Sequence, residues 1–188
     1  MFDYTGALEV LIREIVGRVG EFGHIDPDRV LVACARSRDN GPVGAYAKIV
    51  PMRFETGARE RRVGRHTWEM PALTHQGREL LYLIYFFMPR FGDLPYRQGL
   101  ETVVHELYHI NPRFDGDIRR FPGRNYAHGS SQKRFNATVA RLTDEYLAAG
   151  EPAAAGFLQM TTAELRQAHG SLVGRTVPLP RAVRRRPE

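Results

Sequence analysis

The stretch "VVHELYHINPRF", Val103 to Phe114, sets two histidines four residues apart, puts a glutamate directly after the first and meets a proline three residues after the second. From Tyr96 to Ile110 the apolar residues Leu100, Val103, Val104 and Leu107 fall within roughly a 100° arc of a helical wheel, which predicts a helix that buries that arc. His105 and His109 differ by about 40° on the same wheel and lie roughly opposite the arc, so both imidazoles are expected on one exposed edge, one above the other. Pro112 disfavours the helical conformation at Asn111 and should stop the helix there.

Two histidines do not make a metal site, so the third ligand decides the reading. After the proline, "NPRFDGDIRRFPGRNYA" is rich in turn formers and has no helical period. A second helix is then predicted from "HGSSQKRF" onward, where Phe135, Val139, Leu142, Tyr146 and Ala149 step by 4, 3, 4 and 3 and Ser130 or Ser131 is a natural N-cap. His128 sits just before that helix start. A loop of 18 residues separates it from His109, long enough to bring its ring back across a packed helix pair.

Three neutral imidazoles and one open position are what a catalytic Zn2+ site requires, and His105, His109 and His128 would supply the three metal ligands. Glu106 projects about 100° around the helix from His105, beside the metal without ligating it. There it would act as general base toward a zinc-activated water, the peptide-hydrolysis reading of H-E-x-x-H. With seven His in the chain, that motif is expected by chance only about 0.02 times in a sequence of this composition. Glu145 on the second helix is the rival third ligand, whereas Asp144 falls nearly opposite the apolar stripe and should face solvent. Tyr126 and Tyr108 are candidates for hydrogen bonding to a developing oxyanion in the transition state. Asp115 and Asp117 in "FDGD" read as turn chemistry, and His24, His66, His75 and His169 as solvated or hydrogen-bonded side chains.

The rest of the chain bounds these ideas. With 188 residues and 43% hydrophobic content it can build one core without staples. Its single cysteine, Cys34, excludes an internal disulfide and a cysteine zinc ribbon. The N-terminal stretch carries Arg13 and Glu14 inside its apolar run, unlike a signal peptide, and "LLYLIYFFM", 80 to 88, is too short to span a bilayer. The expectation is a cytoplasmic protein with no membrane partner. The net charge of +6 is concentrated in "RFETGARERRVGR", 53 to 65, and in "RAVRRRPE", 181 to 188; each reads as solvated charge before it reads as a nucleic-acid patch.

Along the chain, helical spacing predicts a first helix over about 4 to 19. "RVLVACA" and "GAYAKIVPM" are apolar, β-branched runs around Asn40-Gly41 and read as a β-hairpin. "HTWEMPAL" suggests a further short strand, and "ELLYLIYFFM" a strand buried on both faces that Pro89 ends. The expected fold is α+β: one domain over 1–175 with an antiparallel or mixed sheet, an N-terminal helix, the motif helix and a following helix. Residues 176–188 form a basic tail expected to be partly disordered.

"VVHELYHI", a loop, and then "YAHG" leading into an amphipathic helix resemble the minimal zincin metallopeptidases of the SprT, WLM and YgjP type, most closely the phage metallopeptidase family. The resemblance covers roughly residues 25 to 150. It implies a small zincin-like fold, zinc on His105, His109 and His128, Glu106 as the base, and a peptide or protein substrate. The chain departs from SprT in having Gln132 where an aromatic is expected, with Phe135 later, and in lacking the cysteine-rich ribbon. Metzincin spacing is also absent, since Pro112 and Asp115 stand where that pattern has Gly and His. The alternative reading is a non-catalytic zinc-containing module that binds nucleic acid, through the basic tail, or protein.

Overall fold

The computed structural model describes residues 1–37, 44–123 and 126–185. A two-residue strand, β1 (Phe2–Asp3), leads into α1 (Tyr4–Arg18), whose N-terminus is capped by Asp3 accepting from the Gly6 amide at 3.1 Å. Six extended segments follow: β2 (Val30–Arg36), β3 (Ala47–Pro51), β4 (Glu60–Val63), β5 (His66–Glu69), β6 (Thr74–His75) and β7 (Arg78–Glu79). Then come β8 (Tyr82–Met88), the motif helix α2 (Tyr96–Tyr108), α3 (Gln132–Ala148) and α4 (Thr162–His169). Two short strands close the description, β9 (Leu172–Val173), parallel to β1, and β10 (Val183–Arg184). The architecture is α+β, and among the described residues no helix is long and apolar enough to cross a membrane.

The central sheet corrects the hairpin reading. Its order is β2-β8-β3, with β2 parallel and β3 antiparallel to β8, so the two runs on either side of Asn40-Gly41 are not paired with each other. Asn40 and Gly41 themselves lie outside the described residues. The physical reason is in β8: Tyr82 to Phe86 are all buried, and a strand apolar on both faces gains most from the middle of a sheet, with both backbone edges paired. β2 and β3 are therefore its flanks.

Alternate residues of β8 feed two apolar layers. Tyr82, Ile84 and Phe86 join the helical core with Leu8, Leu11 and Ile15 of α1, while Leu83 and Tyr85 face a smaller core with Met52, Met70 and Leu80. Val177 and Ala182 cover that second layer, so the segment set apart as a tail lies along the sheet as far as Arg185. On α2 the predicted arc is completely inside: Leu100, Val103, Val104 and Leu107 are each 0% exposed, worth about 1.5–3 kcal/mol apiece on burial.

A three-histidine candidate metal centre

α2 ends where the proline predicts. His109 is its C-cap, and the chain turns back at once to satisfy the last carbonyls. The Arg119 amide donates to His109 O at 2.6 Å and the Arg119 guanidinium to Tyr108 O at 3.0 Å, placing a cation at the negative end of the helix. The returning loop is held from below. Asp117, 2% exposed, accepts two bonds from Arg120, at 2.8 and 3.0 Å, and one from the Thr56 amide at 3.1 Å. Asp115 accepts from Asn111 at 3.0 Å and from the Asp117 amide at 3.1 Å. Both aspartates are thus used in building the loop, the turn role their spacing suggests. Beneath them the buried Tyr82 hydroxyl donates to Asp117 O at 2.8 Å and accepts from the Gly116 amide at 3.0 Å. Gly116 has φ +87°, and a Cβ there would meet Arg53 Cγ at 2.5 Å, so this position requires glycine.

His128 stands in the turn that precedes α3. The Phe121 amide donates to Tyr126 O at 2.8 Å, Gly129 follows at φ +74°, and Ser131 caps α3 by accepting from the Arg134 amide at 3.3 Å. His105 Nε2 ends 3.1 Å from His109 Nε2 and 3.4 Å from His128 Nε2. One ligand nitrogen from each of the three rings lies within 4.8 Å of the others, a group that could hold a metal ion. Among the described residues no other His, Cys, Asp or Glu joins it.

The imidazoles are not on an exposed edge, as the helical wheel implied; His109 is only 6% exposed. The wheel describes α2 alone, and α3 packs against that edge. Phe135 supplies the cover: its ring centroid is 4.9, 5.0 and 4.8 Å from those of His105, His109 and His128. Burial holds the basicity of these rings down, to about 4 for His105 and about 3 for His109, with the neighbouring histidines adding to it; His128 is lowered by burial as well. In neutral rings the 3.1 Å Nε2–Nε2 contact is an N–H···N hydrogen bond from one ring to the other or, with both nitrogens unprotonated, a seat for a shared cation. With its Nε2 on a metal, His109 would carry its proton on Nδ1, which is buried without an acceptor. That is a departure from the usual bonded remote nitrogen of a metal-binding histidine.

Glu106 is not one of the clustered ligands but lines the same cavity as His105. It is 6% exposed, accepts a hydrogen bond from the Ile49 amide, and burial pushes its carboxyl up to about 7. With His105 it lines a cavity of about 410 Å³ whose far wall is Ala45, Tyr46 and Ala47 at the start of β3. The Phe87 amide donates to Tyr46 O, so even-numbered residues of β3 bond β8 and the backbone groups of Ala47 and Ile49 face outward, toward the cavity.

Glu145 is elsewhere: it accepts from the Gly20 amide at 3.0 Å and from Arg141 at 3.4 Å. Asp144 pairs with Arg97 at the surface. Tyr126 is 49% exposed with the Arg120 guanidinium over its ring, and Tyr108 stacks between Arg119 and Phe135. Neither Tyr lines the cavity with Glu106. The residues that sequence reasoning missed are Phe135 as the cover of the histidines, Ile49 as the partner of Glu106, and Tyr82 as the loop anchor. Phe135 carried a signal only as a stripe residue; a backbone amide such as that of Ile49 carries none. Compared with protein-family models, with curated proteins and with solved structures, the chain finds no match in any of the three.

Proposed function

We propose that the chain is a zinc-dependent peptidase of the minimal zincin class, similar to the SprT, WLM and YgjP type and to the phage metallopeptidases. The observation that carries the reading is the convergence of His105, His109 and His128 beside a buried Glu106 that opens onto a cleft. The donor set fits zinc. Two Zn–N bonds of about 2.0–2.1 Å at a tetrahedral angle put the nitrogens about 3.3 Å apart. Two of the three separations, 3.1 and 3.4 Å between Nε2 atoms, bracket that value, and the third lies within 4.8 Å. Among the described residues the cluster has three protein ligands and no fourth, the catalytic rather than the structural pattern.

When bound, zinc supplies Lewis acidity and lowers the pKa of a water toward ~7. The protein's part is then to hold and move a proton. The Glu106 carboxyl, with a pKa of about 7, can take one from a nucleophilic water and hand it to the leaving amine. The Ile49 amide fixes its orientation, and the apolar surroundings keep bulk water from levelling its basicity. The outward-facing backbone of Ala47 is placed to pair with an extended peptide laid along β3. Metal content and hydrolysis of a mixed peptide library test this. Glu106→Gln should retain zinc and lose turnover by at least about 100-fold, whereas His128→Ala should lose zinc. Turnover surviving in Glu106→Gln, or unchanged zinc affinity in His128→Ala, would refute the assignment of that residue.

A further inference from the structure

A second cavity, of about 490 Å³, lies on the β2 side of β8, whereas the one beside Glu106 lies on the β3 side; the two have no lining residue in common. Its walls are the end of β2, the turn after β8, α4, and β9 with the residues that follow it. The size is that of a small-molecule site, about 300–1,000 Å³. Met88 and Leu172 are only partly buried against the core and Val173 is 40% exposed, so the cavity presents an uncovered apolar surface. Its charges are unbalanced. Arg36 and Arg166 are both exposed, and among the described residues neither is paired with a carboxylate. Asp93, the one carboxylate among the described lining residues, is already committed: it accepts from the Thr162 amide at 2.9 Å and the Thr162 hydroxyl at 2.7 Å.

Tyr4 adds an independent signal. Its side chain is 2% exposed and packed edge-on against Phe91 and Phe157, yet its hydroxyl is buried with no hydrogen-bond partner. Leaving a buried donor unmade is destabilising, so such a group calls for an acceptor that arrives from outside. The hydroxyl stands at the inner wall: a Cβ on Gly92 would meet it at 3.2 Å, together with Met88 Cε at 2.7 Å and Thr162 Cγ2 at 2.5 Å, both of them lining residues. Two guanidiniums without an anion and a phenol without an acceptor both ask for ligand oxygen, and the surface between them asks for hydrocarbon.

We propose that this cavity binds a small amphipathic organic acid, its acidic head on Arg36 and Arg166, its apolar body against Met88, Leu172 and Val173, and an inner oxygen on the Tyr4 hydroxyl. The site is separate from the histidine cluster and does not depend on its reading. The chain's single cysteine makes the test direct. Cys34 lines the cavity, and burial pushes its thiol up to about 11, so it reacts slowly and its alkylation by iodoacetamide at about pH 9 reports on the cavity alone. Octanoate should slow this labelling saturably, by at least about 5-fold in the full chain. Octan-1-ol, which has the chain without the charge, should bind at least about 10-fold more weakly, and acetate should not protect. Arg36→Gln with Arg166→Gln should lower octanoate affinity at least about 10-fold and leave that for octan-1-ol as it was. Among ω-hydroxy acids of about six to twelve carbons, at least one should bind about 2- to 12-fold tighter than the plain acid of its length, and Tyr4→Phe should erase that gain. Because the hydroxyl has no partner in the free protein, Tyr4→Phe should not lower Tm. Thermal unfolding of each variant keeps a folding defect from passing as a binding defect. Labelling indifferent to every acid, protection by octan-1-ol equal to that by octanoate, or unchanged affinity in the double arginine variant would overturn the proposal. So would a hydroxy-acid gain that survives Tyr4→Phe, or a clear loss of stability in that variant, which would give the hydroxyl a structural role instead.

Discussion

Removing the hydroxyl of Tyr82 should reach the metal cluster without touching it. The side chain is 0% exposed, and its oxygen bridges Asp117 O, at 2.8 Å, and the Gly116 amide, at 3.0 Å. Tyr82→Phe leaves the Gly116 amide buried without a partner and Asp117 O with the Asn111 amide alone, at 3.4 Å. An unsatisfied group costs about 1–3 kcal/mol and a lost hydrogen bond about 0.5–1.5 kcal/mol, so the substitution should destabilise the protein by about 1.5–4.5 kcal/mol. For a domain of this size that lowers Tm by roughly 3–18 °C. Because the same loop caps α2 through Arg119 and His109, zinc affinity should weaken too. Tyr85→Phe is the internal control: one residue class, the same strand, the opposite face, and a single bond to Pro178 O at 3.1 Å. It should cost about 0.5–1.5 kcal/mol and leave zinc affinity as it was. Urea unfolding of the metal-free proteins and competition titration with a zinc chelator read both effects. A Tyr82→Phe protein no less stable than Tyr85→Phe, with unchanged zinc affinity, would refute the view that this hydroxyl anchors the ligand loop.

Phe135→Ala, at 4% exposure and in contact with all three imidazoles, should cost about 3–5 kcal/mol by thermal unfolding and broaden the histidine resonances; Phe135→Leu should cost less than half as much. In the metal-free protein, His105 and His109 are depressed from 6.5 to about 4 and about 3. Their contribution to stability is therefore complete above pH 6.5 and is lost as pH falls through 4 and 3. Histidine proton shifts followed by NMR from pH 8 to 5 should stay flat for these two rings, and a midpoint near 6.5 would contradict the burial argument. Glu145→Gln can still accept from the Gly20 amide, so it should change stability by under about 0.5 kcal/mol and leave metal content unaltered. Loss of zinc in that variant would reinstate Glu145 as a ligand.

How far the sequence could be followed depends on whether the deciding interaction is local. Helix α1 lies over Tyr4–Arg18, within a residue of its predicted span, because apolar spacing and the Asp3 cap act over a few residues. The same holds for α2, stopped at His109, and for α3 with Ser131 as its cap. The hairpin reading failed where pairing became a choice among partners. Asn40-Gly41 favours a turn, but the burial demand of β8 on both faces outweighs a two-residue preference and separates β2 from β3.

What the sequence determined by itself was the helical phase: the arc of Leu100, Val103, Val104 and Leu107 and, opposite it, the stacked histidines. It also determined that His128 would precede a helix at the end of a loop long enough to return. Tertiary structure alone decided what lies across from each of those faces. Phe135 turns an exposed histidine edge into a buried cluster, and Ile49 gives Glu106 a partner. Pairing of β10 with β5 gathers two distant arginine runs into one charged face. The physical reason is common to all three: covering a face is a contact between segments far apart in the chain, and a helical wheel or a charge count carries no information about the partner.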